Sequence, residues 1–358
     1  MTHRAYKRLA ERLDSLPNGF PPTQDGAELR LLEKIFTPEQ ADLAAQLSMQ
    51  METADAIAAR IQADPGKIRK ALKGMARNGL IRAEKTESGL GFSLMPFVVG
   101  IYEMQISRID AEMAALFEDY YKQAFSQALN IQPQFHRVIP VQESIPVDLQ
   151  IRPYENVSTI LDNAQAWGVM DCICRKQKQL IGDPCDHPLD VCMIFSQTAG
   201  AFNNNSTIRA LTHEEAVETL RRAAQAGLVH SVSNNQKGTW YICNCCTCSC
   251  GILRGLSEMG ISNVIARSSF VNHVDEDLCV GCELCLDSCQ FGALSHNGVA
   301  QVDPMRCVGC GVCIAACPEG ALSMQPREAA EVSEPPVSMQ DWLAERAQAR
   351  GMDLDHLR

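Results

Sequence analysis

All 17 cysteines of this chain lie between Cys172 and Cys317, and the first 171 residues hold none. Eight of them follow one pattern twice, Cys-x2-Cys-x2-Cys-x3-Cys. Cys279, Cys282, Cys285 and Cys289 recur as Cys307, Cys310, Cys313 and Cys317, each displaced by 28 residues. Thiols crowded at such spacing in a reducing compartment point to metal rather than disulfides. The surrounding text repeats as well: CVGCELCLDSCQFGAL returns as CVGCGVCIAACPEGAL, so two copies of one structural unit are expected. Nine more cysteines lie outside this repeat. Cys172, Cys174, Cys185 and Cys192 fall within MDCICRKQKQLIGDPCDHPLDVC, and Cys243, Cys245, Cys246, Cys248 and Cys250 fill CNCCTCSC. Two further four-thiolate sites would use eight of the nine.

The paired repeat resembles the bacterial two-cluster ferredoxins. About 50 of the 358 residues carry the resemblance: eight cysteines in register, Pro318 after the last, and Gly-Ala-Leu after each copy. It implies two [4Fe-4S] clusters in which the fourth ligand crosses over to the other copy. By that pattern Cys279, Cys282, Cys285 and Cys317 hold the first cluster, and Cys307, Cys310, Cys313 and Cys289 hold the second. Gln290 departs from the family, which usually has proline there. A pair of structural zinc sites is the competing reading, but zinc knuckles are usually separated by many more residues. Residues 272–325 hold seven acidic side chains against Arg306 alone, a balance of −6. Negative charge disfavours adding an electron, so low potentials are expected, with a basic docking face on a redox partner.

For the other nine cysteines, further iron–sulfur clusters, one or two, and structural zinc both remain open. If CNCCTCSC were extended, alternation would put Cys246, Cys248 and Cys250 on one side and Cys243 and Cys245 on the other. His187, in Cys-Asp-His-Pro, is either a ligand, a donor to a cluster sulfide or a surface residue. Arg175 is either a sulfide donor or a solvated charge. Neither Gly-x-Gly-x-x-Gly nor Gly-Lys-Ser/Thr occurs, so no nucleotide fingerprint accompanies the cysteines.

The elements that would carry these residues read as α+β. Thr53 can cap a helix with Ala54, Ile57, Ala58 and Ile61 on one face, and Asp64-Pro65 opens a second with Ile68, Ala71, Leu72 and Met75. Gly79 then suits a left-handed helix end, and IRAEKTESGLGFSL reads as a hairpin. Helix, turn, helix and hairpin in that order resemble a winged helix-turn-helix domain, carried by TADAIAARIQADPGKIRKALKGMARNGLIRAEK. Its residues 64–85 hold seven basic side chains against Asp64 and Glu84. The resemblance therefore implies either DNA binding or a reuse in protein contact or dimerisation, the second being preferred. The expected organisation is a winged-helix-like domain over 1–98, a long connecting helix over 99–131 and a Cys-rich middle domain over 132–268. A dicluster ferredoxin domain over 269–325 and a linker with a terminal helix over 326–358 complete it. Within the middle, HRVIPV and DLQIR read as strands and residues 155–167 as a helix. Thr212-x-x-Glu215 is a capping box, and the hairpin of LVHSV with WYIC echoes the N-terminal one, suggesting a second winged-helix-like unit.

Composition sets the remaining bounds. Hydrophobic residues are 46%, the net charge is −11, and the longest mainly apolar stretch, Leu94 to Tyr102, is broken by Pro96 and Gly100. That excludes disorder and argues against membrane insertion. Residues 1–100 balance at +2, leaving −13 downstream, which argues against the whole molecule coating nucleic acid. The N-terminal MTHRAYKRLAERLDSL lacks a signal-peptide core, so a cytoplasmic location is expected. Together these readings predict an iron–sulfur electron carrier, or an electron-transfer subunit of a larger oxidoreductase, with no catalytic side chain of its own. A redox-sensing DNA-binding regulator and a reductase with an open-site middle cluster are the alternatives. A homodimer through the N-terminal region is a further expectation.

Overall fold

The structure, a computed structural model, describes residues 2–146 and 149–352. It mixes helices and strands as α+β and divides into two units. The first comprises residues up to 132, residues 177–183 and the described chain beyond 342; the second comprises 133–176 and 184–342.

The first unit opens with α1 (Thr2–Asp14), α2 (Ala27–Ile35) and α3 (Pro38–Ala44). There follow β1 (Glu52–Thr53), α4 (Ala54–Arg60), α5 (Pro65–Arg77), β2 (Arg82–Thr86) and β3 (Gly89–Ser93). Thr53 caps α4 by accepting from the Ala56 amide, and Asp64 caps α5 by accepting from the Lys67 amide. Each cap satisfies an amide that the helix itself leaves unpaired. Both helices bury only their apolar stripes, Ile57 and Ala58 on one, Leu72 and Met75 on the other. The strands form a sheet in the order β1-β3-β2.

The long helix expected over 99–131 is not continuous. Its helical part is α6 (Ala111–Tyr120), a π turn at Tyr121–Phe125, and α7 (Ser126–Leu129). Asp110 starts it in extended backbone and accepts from the Met113 amide at 2.9 Å. The break lets the chain fold back so that Tyr102 stacks on Phe117 with ring centroids 3.8 Å apart. That aromatic packing outweighs the helical periodicity of Ile106 and Ile109.

The second unit contains β4 (His136–Val138), α8 (Val157–Asp162), β5 (Ala166–Met170), α9 (Ile173–Leu180), whose first turns lie in it, and β6 (Cys192–Ser196). β7 (Arg209–Leu211), α10 (His213–Gln225), β8 (Val229–Ser233) and β9 (Tyr241–Cys245) complete a six-stranded sheet in the order β4-β8-β9-β6-β5-β7, antiparallel throughout. Thr212 and Glu215 form the capping box that starts α10. One core, including Ile160, Val169, Phe195, Leu220, Val232 and Ile242, joins helix and sheet. The hairpin β8–β9 is thus central to a sheet rather than the wing of a second winged-helix unit. DLQIR is not a strand among its described residues, and the helix expected over 155–167 is confined to α8.

After α11 (Arg254–Ser257), β10 (Phe270–Val274) pairs with β13 (Leu322–Pro326), from Phe270↔Pro326 to Val274↔Leu322. Between them lie α12 (Leu284–Asp287) and the hairpin of β11 (Leu294–Asn297) with β12 (Val299–Val302). The terminal helix is α13 (Met339–Ala349).

Candidate metal centres

The two copies of the cysteine repeat bend around two cavities. Cys279, Cys282, Cys285 and Cys317 line one; Cys289, Cys307, Cys310 and Cys313 line the other. In each copy a backbone amide four residues on turns back to the last cysteine, Ala293 to Cys289 Sγ and Ala321 to Cys317 Sγ, both at 3.3 Å. The repeated Gly-Ala-Leu explains this, because Gly292 and Gly320 take positive φ and aim the following amide inward. Asn272 Nδ2 donates to Cys313 Sγ at 3.3 Å, and the Ala300 amide to Cys279 Sγ at 3.4 Å. N–H donors on cluster sulfurs raise a potential that the surrounding acidic charge lowers. Burial pushes the Cys310 thiol up to about 12 and Cys313 higher still, so both reject a bare negative charge. A bound cation removes that penalty.

Close approach fixes the repeated Val-Gly-Cys. A Cβ on Gly309 would lie 2.2 Å from the Phe270 carbonyl oxygen, and one on Gly281 2.5 Å from that of Gly298.

The nine middle cysteines separate into two groups. Cys172 follows β5, Cys174 opens α9, Cys192 begins β6, and Cys243 and Cys245 lie on β9. Antiparallel pairing of three neighbouring interior strands brings these strand ends to one end of the sheet, with Met170 opposite Cys192. Cys250 returns there through the turn after β9. These six thiols lie near enough to shift one another's ionisation, each acting on the next in a ring that runs Cys172, Cys174, Cys250, Cys245, Cys243, Cys192 and back to Cys172. Contact with Cys243 and Cys250 holds Cys245 down at about 6 despite its burial. Cys172 is held low by Cys174 and Cys192, while Cys174 and Cys243 are driven up by their neighbours.

The other group is Cys185, His187, Cys246 and Cys248, whose donor atoms all lie within 4.8 Å of one another. The extended alternation expected for CNCCTCSC is therefore corrected. β9 ends at Cys245 and the chain turns, the Cys250 amide donating to the Cys246 carbonyl at 3.0 Å. Cys250 thereby joins Cys243 and Cys245, and Cys246 and Cys248 face elsewhere. His187, which sequence reasoning left among several readings and outside the ligand set, belongs to this second group. Its nearness in sequence to Cys185 was the available signal.

Arg175 reaches both groups. The residue is 2% exposed, and its Nη1 donates to the Asn244 carbonyl at 3.0 Å and to Cys246 Sγ at 3.7 Å. Its Nε and Nη2 are buried without a hydrogen-bond partner among the described residues. Burial alone would lower its pKa, but Cys172, Cys192 and Cys246 reverse the sign and raise it. A buried cation with two idle donors beside a thiol ring fits an anionic cluster whose inorganic sulfides accept them, since such donors are otherwise costly to leave unpaired.

Residues 278–321 match the family described as the 4Fe-4S dicluster domain. That segment is a ferredoxin-like iron–sulfur domain. No curated protein matches the chain. Among the described residues no helix is long and apolar enough to cross a membrane.

Proposed function

We propose that the protein is an iron–sulfur electron carrier, or the electron-transfer subunit of a larger oxidoreductase, whose two [4Fe-4S] clusters exchange single electrons with a further cluster in the six-thiol ring. The observation that carries the reading is the division of the eight repeat cysteines between two cavities, four to each, within the segment that matches the dicluster family. Cys279, Cys282, Cys285 and Cys317 would hold one cluster, and Cys289, Cys307, Cys310 and Cys313 the other. Bound clusters supply one-electron redox chemistry. The chain contributes thiolates, N–H donors that set the potential, and apolar walls, among them Phe291 and Val308, that limit water around the second cluster.

The ring lies beside this pair. Gln290, immediately after Cys289, accepts from the Thr247 amide in the Cys-rich turn at 2.7 Å, so the second cavity is close to the turn that ends the ring. Anaerobic purification with iron and sulfide counts tests the proposal. At least 12 irons per chain are expected, about four for each of three clusters. Reductive titration should show signals from interacting clusters. Eight irons or fewer would remove the ring from the electron path.

A second reading rests on α5, which exposes Lys67, Lys70, Lys73 and Arg77 on the side away from Leu72 and Met75. This face suits phosphate, and DNA affinity that falls steeply with salt and is weakened by Lys70→Glu with Lys73→Glu would favour a regulator. Self-association that changes with the same variants would favour dimerisation.

A further inference from the structure

Cys185, His187, Cys246 and Cys248 come from two short segments, the loop after α9 and the turn after β9. Four ligands around one tetrahedral ion have defined edges. With metal–sulfur bonds of about 2.3 Å and metal–nitrogen bonds of about 2.0–2.1 Å, sulfur pairs sit about 3.8 Å apart and sulfur–nitrogen pairs about 3.5 Å. Here Cys185 Sγ and Cys246 Sγ are 4.0 Å apart, and Cys248 Sγ and His187 Nδ1 are 3.8 Å apart. A cubane cannot fit so tight a set, because its thiolates bind different irons and are spread by an iron–iron edge.

Outer contacts fit a single ion as well. Ser249 Oγ lies 3.3 Å from Cys185 Sγ and donates to Cys248 Sγ at 3.9 Å, and Arg175 donates to Cys246 Sγ. Three thiolates and a neutral imidazole around a divalent cation carry one net negative charge, which the buried Arg175 guanidinium balances. The six remaining thiols close their ring without drawing on any of these four donors.

We infer that Cys185, His187, Cys246 and Cys248 form a mononuclear zinc site, closed by four protein ligands and separate from the cluster centres. The inference goes beyond the electron-transfer reading, because zinc has no redox chemistry. With no open coordination position the site is structural. It clips the loop carrying Cys185 to the turn that leads into Cys250, and so holds one member of the six-thiol ring in place.

The test is zinc content and zinc-edge X-ray absorption on the full chain, purified anaerobically from cells supplied with both iron and zinc. One zinc per chain with three sulfur neighbours at about 2.3 Å and one nitrogen at about 2.0–2.1 Å is expected. Cys246→Ser and His187→Ala should lower zinc occupancy at least tenfold, the loss typical of a removed ligand contact or worse. His187→Cys should retain zinc with four sulfurs. The ferredoxin clusters' EPR signals, measured on the same samples, report folding, and their failure would count against the electron-transfer reading rather than this one. Absence of zinc in the parent protein would overturn the inference, as would a four-sulfur zinc shell or a loss of four irons on Cys248→Ser.

Discussion

Gln290 and Thr247 are joined by a 2.7 Å hydrogen bond from the Thr247 amide to the Gln290 side-chain oxygen, while the Gln290 amide group donates to the Gly227 carbonyl. The position where a ferredoxin repeat usually has proline is here a two-handed polar clamp. One hand holds the Cys-rich turn and the other holds the end of α10. Proline could make neither bond, so the sequence departure records a docking requirement of this chain.

Gln290→Ala leaves both partners without their side-chain bonds in a half-buried place. A loss of about 1–3 kcal/mol is expected, read as a lower denaturation midpoint, with all eight ferredoxin irons retained. Electron exchange between the second cluster and the ring should slow. Unchanged stability would show that water replaces the clamp at no cost.

The crossed ligand pattern predicts an asymmetric response in the ferredoxin segment. Cys317→Ser should cost about four irons per chain and abolish the signal of the cluster held mainly by the first copy. Selective loss of the cluster at Cys307, Cys310 and Cys313 would refute the crossover.

Arg175→Leu removes a buried positive charge next to the ring. At a separation of about 5 Å and an effective dielectric near 20, one charge is worth roughly 3 kcal/mol. The midpoint potential of the ring cluster should therefore fall by on the order of 100 mV. Redox titration followed by EPR measures this, and a shift to higher potential would show that the guanidinium does not face the cluster.

His136 gives a pH dependence. It is buried on β4, and burial lowers its pKa from 6.5 to about 3. Between those values the unfolded chain binds the proton more readily than the folded one. Stability is thus fully present above about pH 6.5 and declines by up to about 1.4 kcal/mol per unit as pH falls towards 3. Denaturant midpoints at several pH values should show that slope, and His136→Leu should flatten it by one proton's worth.

Legibility from sequence followed the reach of each signal. The ferredoxin cysteines are close along the chain and repeat, so spacing marked two copies of four, while the exchange of Cys289 and Cys317 between the two cavities was implied by the family resemblance rather than by spacing. Local caps were equally plain, since Thr53, Asp64 and Thr212 each accept from the amide three residues on. The middle cysteines depended on where β9 stops. Nothing in CNCCTCSC marks Cys245 as the last strand residue, and one turn there moves Cys250 from one partner set to the other. The helix expected over 99–131 failed for a related reason. Its break is stabilised by Tyr102 on Phe117, a contact that periodicity along a single helix does not contain.

The pairing of β10 with β13 has a consequence for how the ferredoxin segment could travel. Phe270 stands opposite Pro326 across one antiparallel seam, so the segment enters and leaves at adjacent points, about 5 Å apart. Between those points lies every cysteine of both repeats. A stretch whose two ends meet can be excised or received by a host at a single surface turn, with little strain on either side. The dicluster segment thus has the geometry of a cassette, and Gln290 is one of the places where this chain made the cassette its own.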